Sequence, residues 1–247
     1  MIDTVISGVT GRMGSELIFA LHKSNKFNLT GGITSQNNEK VNLDLGVLVD
    51  LHNLGVKVST ALSNIEDIDM VIDFSEPNFS LRILNQALDR KLPILIGTTG
   101  HSTDQMKKIK EAANFLPIML VSNTSIGIAF IKNLLSHSSN MLTVFDKQEI
   151  IEKHHINKKD SPSGTALDLS IMLKELGNHK QDVSIESLRE GYSPGEHTII
   201  LNREYETVEI THKAFNRSIF ADGALLAAEW LLPQKKGLYS MLDFYLP

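Results

Sequence analysis

The run Glu152-Lys153-His154-His155-Ile156-Asn157-Lys158-Lys159-Asp160-Ser161-Pro162-Ser163-Gly164-Thr165 gathers more chemistry than any other part of this chain. A histidine pair is followed by Lys158 and then by a Pro-Ser-Gly-Thr turn. A proton donor beside a fixed cation and a helix N-terminus suits a small anionic substrate, because backbone N–H groups at a helix start point outward and attract carboxylates. The competing reading is two surface histidines in a charged loop, with Lys153, Lys158 and Lys159 a solvated basic run. Lys158 and the helix entry together supply the parts of an anion-handling site and weigh against it. Neighbouring residues of an extended segment face opposite ways, so His154 and His155 do not grip one ion together. No other His or acidic cluster has convincing ligand spacing, and no metal is expected.

The elements that must position these residues begin just after the turn. Ala166, Leu169, Leu173 and Leu176 recur at helical spacing, and Gly177 sits where a left-handed C-terminal cap belongs. Before them, Gln148 to Glu152 reads as a strand; after them, so do His197 to Asn202 and Thr207 to Lys213. Val208, Ile210 and His212 alternate with Thr207, Glu209 and Thr211, the period of a half-exposed strand. A helix over Gly127 to His137 precedes this region, and a final helix over Ile219 to Leu232 follows it.

The first half of the chain alternates strand and helix, as in a parallel sheet flanked by helices. Thr4 to Ser7, Phe27 to Ile33, Met70 to Phe74, Pro93 to Ile96 and Pro117 to Val121 are the strands. Helices are expected from Ser15 to about Lys23 and from Ser80 to Leu88. Ser102 with Gln105 resembles a capping box for a further helix. The expected organisation is a dinucleotide-binding domain over 1–124, a substrate-binding domain over 125–217, and a segment 218–247 returning to the first domain. The fold class is α/β: a Rossmann-like domain with a parallel sheet plus an inserted α+β domain.

Between the first strand and first helix lies Gly8-Val9-Thr10-Gly11-Arg12-Met13-Gly14. Position and glycine content suit a pyrophosphate cradle, although the spacing is G-x-x-G-x-x-G and a tight turn alone also uses glycine. Arg12 adds a cation at the loop tip. Gly97-Thr98-Thr99-Gly100 and Val121-Ser122-Asn123-Thr124 end two later strands. Ligands of open α/β sheets bind outside the C-terminal ends of their strands, so three small polar loops at successive ends point to a coenzyme crevice. After the second strand stands Thr34-Ser35-Gln36-Asn37, neither acidic nor basic, which leaves NAD and NADP equally open.

Composition sets the outer bounds. With 247 residues, 42% hydrophobic and 21% charged, the chain has enough apolar material for a proper core. A net charge of -5 argues against a broad nucleic-acid surface. No apolar run is long enough to span a membrane, and the N-terminus lacks a secretory pattern. The absence of cysteine excludes disulfides and a thiol nucleophile and fits a reducing, cytoplasmic setting.

The pattern Glu152-x-His154-His155-x-x-Lys158-x-Asp160-x-Pro162-Ser163-Gly164-Thr165 closely resembles the signature of the 4-hydroxy-tetrahydrodipicolinate reductase family, also called dihydrodipicolinate reductase. The likeness continues through Gly8 to Gly14, Asp73-Phe74-Ser75, Gly97 to Gly100, Gly195-Glu196-His197, Glu209 to Ala214 and Phe220 to Ala224. It implies a two-domain, homotetrameric oxidoreductase of diaminopimelate and lysine biosynthesis that uses NADH or NADPH on a small dicarboxylate substrate. By that resemblance His154 is the catalytic donor/acceptor, Lys158 the proton donor, and His155, Gly164 and Thr165 bind substrate. The glycine loop, Thr34 and the residues Gly97, Thr98, Thr99, Val121, Ser122, Asn123 and Thr124 would hold the coenzyme. The chain departs from the family at Thr34-Ser35, where an acidic–basic pair is common, and at Thr124, where an aromatic residue is common. Two other readings stand beside it: a related oxidoreductase acting on an amino or hydroxy acid, and a nucleotide-binding sensor without turnover.

Overall fold

The computed structural model describes residues 1–177 and 182–245, which divide into two compact units. In chain order the elements are β1 (Ile2–Ser7), α1 (Arg12–Lys23), β2 (Phe27–Ile33), β3 (Val58–Ser59), β4 (Met70–Asp73), α2 (Pro77–Arg90), β5 (Ile94–Ile96), α3 (Thr103–Ala112) and β6 (Pro117–Leu120). There follow α4 (Ile126–His137), α5 (Ser139–Leu142), β7 (Lys147–His154), α6 (Gly164–Leu176), β8 (Ser184–Arg189), β9 (Gly195–Arg203) and β10 (Glu206–Ala214). The chain ends with α7 (Ser218–Leu231), β11 (Gly237–Tyr239) and α8 (Met241–Tyr245).

The first unit comprises Met1–Thr124 and Phe220–Phe244. Its seven strands form a parallel sheet in the order β11-β6-β5-β4-β1-β2-β3. Met70, Val71, Ile72 and Asp73 of β4 are all buried, as suits a strand covered on both faces. A core of Val5, Val71, Ile83, Leu84, Ile94, Ile96, Ile109 and Ile118 lies between this sheet and helices α2 and α3. Each such side chain contributes roughly 1.5–3 kcal/mol on leaving water. The strand order reverses between β1 and β4, which pair directly and place Ser7 opposite Asp73. At such a switch point the flanking loops diverge to opposite faces and open a crevice.

The second unit, Ser125–Ile219, is a mixed sheet in the order β10-β9-β7-β8. Ile150 of β7 with Ile199 and Leu201 of β9 packs against Ile131 and Leu135 of α4 and Ala166, Leu169 and Leu173 of α6. Glu149, Ile151 and Lys153 face the other way from Ile150, giving β7 a strict buried/half-buried alternation from Gln148 to His154.

Several boundaries differ from those expected. Helix α1 starts at Arg12, not Ser15, because extended Gly11 serves as its N-cap. Helix α2 starts at Pro77, with the Glu76 side chain accepting from the Asn78 and Phe79 N–H groups. The capping box of Ser102 and Gln105 is formed. Gly177 does follow α6, but in a right-handed conformation with φ -77°, so it is not a left-handed cap. Strand β10 is an edge strand exposed over most of its length, and Val208 is 40% exposed, so its alternation does not mark one buried face. Strand β7 runs on to His154, and β8 and β11 were not anticipated.

Candidate active site

In the first unit the strand-end loops close tightly on one another. Gly8 has φ +79°, and a Cβ there would stand 2.3 Å from the Phe74 carbonyl oxygen. A Cβ on Gly14 would stand 2.3 Å from the Val9 carbonyl oxygen, and one on Gly97 would meet the Phe74 ring at the same distance. These glycines let the loop after β1 and the loop after β5 lie against the loop after β4. Helix α1 begins from Gly11 without any side-chain cap, and exposed Arg12 is its first residue. A glycine turn leading into an uncapped helix N-terminus fits a dinucleotide pyrophosphate.

Buried Asp73 ties the loops together. It accepts hydrogen bonds from the hydroxyls of Ser7, Ser75 and Thr98, and Thr98 Oγ1 in turn accepts the Ser75 N–H at 2.8 Å. Thr98 is therefore occupied internally, while Thr99 beside it is exposed. Thr124 is buried and donates its hydroxyl to the Phe220 carbonyl at 2.6 Å, so its side chain serves packing against α7. Val121 is buried, and Ser122 and Asn123 are half-buried. Thr34 is buried with its hydroxyl 3.0 Å from that of Thr10, to which the Asn38 amide also donates. A polar recess lined by Thr10, Asn37, Asn38, Glu39 and Lys40 lies alongside. Its last four residues come from a loop whose sequence carries no periodic signal.

In the second unit the chemistry converges at the end of β7. Glu152 is fully buried and makes three hydrogen bonds. One carboxylate oxygen accepts from Arg189 Nη2 at 2.6 Å and from the Ser163 N–H at 3.2 Å, and the other bonds His154 Nδ1. Arg189 also donates to the Asp160 carbonyl at 2.7 Å, binding β8 to the loop that carries Lys158. Burial pushes the Glu152 carboxyl up, but Arg189 and the neighbouring His154 outweigh it and hold the group at about 2. His154 sits below the ordinary histidine range, because burial outweighs the pull of Glu152.

His197 of β9 lies edge-on to His154 with ring centroids 5.1 Å apart, and its Nε2 is 3.2 Å from Ser163 Oγ. Burial, with the charge of a protonated His154 beside it, pushes His197 down to about 3. Ser163 caps α6 by accepting the Ala166 N–H at 3.2 Å, and Gly164 and Thr165 form the first turn. The Ser161–Pro162 peptide before them is cis. Lys158 is largely covered, its side chain 22% exposed, and pairs with Asp160 Oδ1 at 2.9 Å. His155 is half-buried and accepts the Lys158 N–H on its carbonyl at 3.0 Å.

The structure thus brings His154, Lys158, Gly164 and Thr165 into one short segment around Glu152. Sequence spacing alone missed Arg189 and His197, and it gave Glu152 no task. Glu152, His154 and His197 also offer ligand atoms within 4.8 Å of one another, a cluster that sequence spacing did not foretell. The Arg189 guanidinium holds the other Glu152 oxygen and sets a positive charge beside this cluster. The reading of two histidines in a charged surface loop is overturned: His154 is a buried strand residue.

A unit built on a parallel sheet with a glycine-lined switch point, and a second unit bearing a buried histidine and a helix N-terminus, define the class of pyridine-nucleotide oxidoreductases. The chain belongs to the dihydrodipicolinate reductase family: the family description "Dihydrodipicolinate reductase, N-terminus" matches residues 2–124 and "Dihydrodipicolinate reductase, C-terminus" matches 127–245. It is 37% identical to the 4-hydroxy-tetrahydrodipicolinate reductase of Buchnera aphidicola subsp. Cinara cedri, over 97% of this chain and 95% of that one. The enzyme of the same name from Methylococcus capsulatus is 36% identical, over 98% and 97% of the two chains. Among solved structures, a dipicolinate-bound dihydrodipicolinate reductase from Paenisporosarcina sp. TG-14 superposes with a TM-score of 0.78 at 24% identity, covering 100% of both chains. A probable dehydrogenase from Thermotoga maritima shares the fold at a TM-score of 0.68 and 9% identity, over 98% of this chain and 92% of that one. Among the described residues, no helix is long and apolar enough to cross a membrane.

The depressed His197 fixes a stability trend. A group whose folded pKa lies below its unfolded value binds more protons when unfolded, so stability falls as pH drops from 6.5 toward about 3. Glu152 adds to the fall only below the ordinary carboxyl value of 4.5, on the way to about 2. Urea titrations of the wild type and His197→Gln should therefore diverge between pH 6.5 and 4.5, the variant losing stability less steeply by up to roughly 1.4 kcal/mol per pH unit. Parallel curves across that window would show that His197 does not gain its proton on unfolding.

Proposed function

We propose that this protein is a 4-hydroxy-tetrahydrodipicolinate reductase, in which NADH or NADPH reduces the dehydrated substrate to tetrahydrodipicolinate in the diaminopimelate and lysine pathway. The observation that carries the reading is the buried Glu152–His154 pair beside Lys158 and the N-terminus of α6, in a chain that matches the family along its whole length. The coenzyme, when bound, supplies a hydride. Gly8, Val9, Thr10, Gly11, Arg12 and Met13 are the residues that hold its pyrophosphate, with Thr34 on the ribose side. Gly97, Thr98, Thr99 and the 121–124 loop line the nicotinamide side, where Thr98 and Thr124 contribute backbone, since their hydroxyls are engaged elsewhere.

The second unit binds the substrate. One carboxylate docks on the first turn of α6 at Gly164 and Thr165, where the helix dipole and N–H groups favour negative charge, and His155 adds a contact. Hydride addition to a conjugated carbon–nitrogen system leaves electron density that must take up a proton. Lys158 supplies that proton, and its charge beside the reacting atoms lowers the barrier as negative charge grows. His154 completes the exchange as donor/acceptor. The same unit carries the contacts of a homotetramer, and the protein acts in the cytoplasm.

Coupling the protein to a dihydrodipicolinate synthase reaction and following NADH and NADPH in parallel tests the reading directly. Oxidation that requires the synthase product is expected; coenzyme binding without any oxidation would refute it. In the same assay Lys158→Ala should lower kcat roughly a hundredfold with coenzyme affinity little changed. An equal loss of coenzyme affinity would move Lys158 to the nucleotide instead. Light scattering of the eluted protein should give four times the mass of one chain, and a monomer would remove the tetramer from the proposal.

A further inference from the structure

The hydrogen-bond geometry around Glu152 assigns a task to a residue outside the substrate-binding set. We infer that Glu152 is a positioning residue: held by Arg189 and the Ser163 N–H, it fixes His154 with a proton on Nδ1 and leaves Nε2 as the nitrogen that exchanges protons with the substrate. The inference rests on the proposed role of His154 in the reduction.

An ionised carboxylate only accepts hydrogen bonds. Glu152 is held well into its ionised range, and His154 Nδ1 lies against its second oxygen. Nδ1 must therefore carry a hydrogen, and a neutral ring has its lone pair on Nε2. Position 195, alongside that nitrogen, is a glycine: a Cβ there would stand 2.9 Å from Nε2, so the missing side chain keeps that nitrogen's surroundings clear.

What makes Glu152 decisive is that its other oxygen is not free to rearrange. Arg189 Nη2 at 2.6 Å and the Ser163 N–H at 3.2 Å both donate to it. In a Glu152→Gln variant of nearly equal shape, those two donors retain the amide oxygen and turn the amide NH2 toward His154. An NH2 facing an N–H is two donors in opposition, and the neutral ring escapes by moving its proton to Nε2. An amide in place of a histidine-orienting carboxylate acts in this way through the wrong tautomer. A merely structural role for Glu152 predicts no such inversion.

The test combines spectroscopy with kinetics. Full-length protein labelled with 15N-histidine is measured above pH 7, the His154 signal being assigned by its loss in His154→Asn. The wild type is expected to carry its proton on Nδ1, and Glu152→Gln on Nε2, with kcat in the coupled assay lowered about a hundredfold or more and coenzyme affinity unchanged. A wild-type His154 protonated on Nε2 overturns the inference without any variant, which covers a Glu152→Gln protein that does not fold. An inverted tautomer with kcat within twofold of wild type overturns it as well, as does a lost kcat with the tautomer unmoved. Because the tautomer is read without substrate, failure of the reductase reading, seen as no coenzyme oxidation by the wild type, stays distinguishable from failure of this one.

Discussion

A carboxylate with no exposed surface cannot stay ionised inside a protein unless its charge is answered, and in this chain Glu152 is that carboxylate. Removing one partner from such a buried set typically costs about 3–5 kcal/mol, because the other charge is then left alone. The obligation to satisfy Glu152 draws together three segments distant in sequence: β7, which carries it with His154, β8, which delivers Arg189, and the entry to α6, which offers the Ser163 N–H. The Pro-Ser-Gly-Thr turn and the histidine consequently have fixed places relative to each other. Arg189 extends the constraint through the Asp160 carbonyl to the loop that bears Lys158. A charge that would be a liability in a hydrophobic core thus sets the places of His154, the helix entry and the loop that bears Lys158 relative to one another.

The first unit meets the same need for fixed loops with neutral donors around one acid. Asp73 at the end of β4 receives hydroxyls from β1, from its own loop and from the loop after β5, across the point where the strand order reverses. The glycines then allow backbone to approach backbone more closely than any side chain would permit. This accounts for Thr98 and Thr124, whose hydroxyls face inward: they brace the crevice, and the exposed backbone and neighbours such as Thr99 are left to face a ligand.

Much of this was legible in the sequence because it is local. The three apolar residues opening at Met70, the Ser102–Gln105 capping box and the glycine turn after β1 are each written in a few adjacent residues. So was the short segment from His154 to Thr165. What stayed hidden arrives from far along the chain. Arg189 reaches Glu152 across 37 positions and His197 reaches Ser163 across 34. Strand β8 itself, Ser-Ile-Glu-Ser-Leu-Arg, alternates only between exposed and half-buried, and its two apolar residues fall out of step with a period of two. Gly177 shows the converse limit: the residue type allowed a left-handed cap, and the local packing did not use it.

Thr34, proposed to lie on the ribose side of the coenzyme, stands where the sequence supplies no charge. The Thr34 hydroxyl is already engaged by Thr10, so it is only partly available to a ribose oxygen. The recess beside it contains Lys40 and Glu39 together. A 2′-phosphate placed there would meet attraction from one and repulsion from the other. A 2′-hydroxyl lacks an acidic partner at the end of β2 that would reward it. In the proposed coenzyme placement, discrimination between the two coenzymes would rest on the opposite charges of Glu39 and Lys40 and on neutral hydrogen bonds, in place of a single charged residue after the second strand.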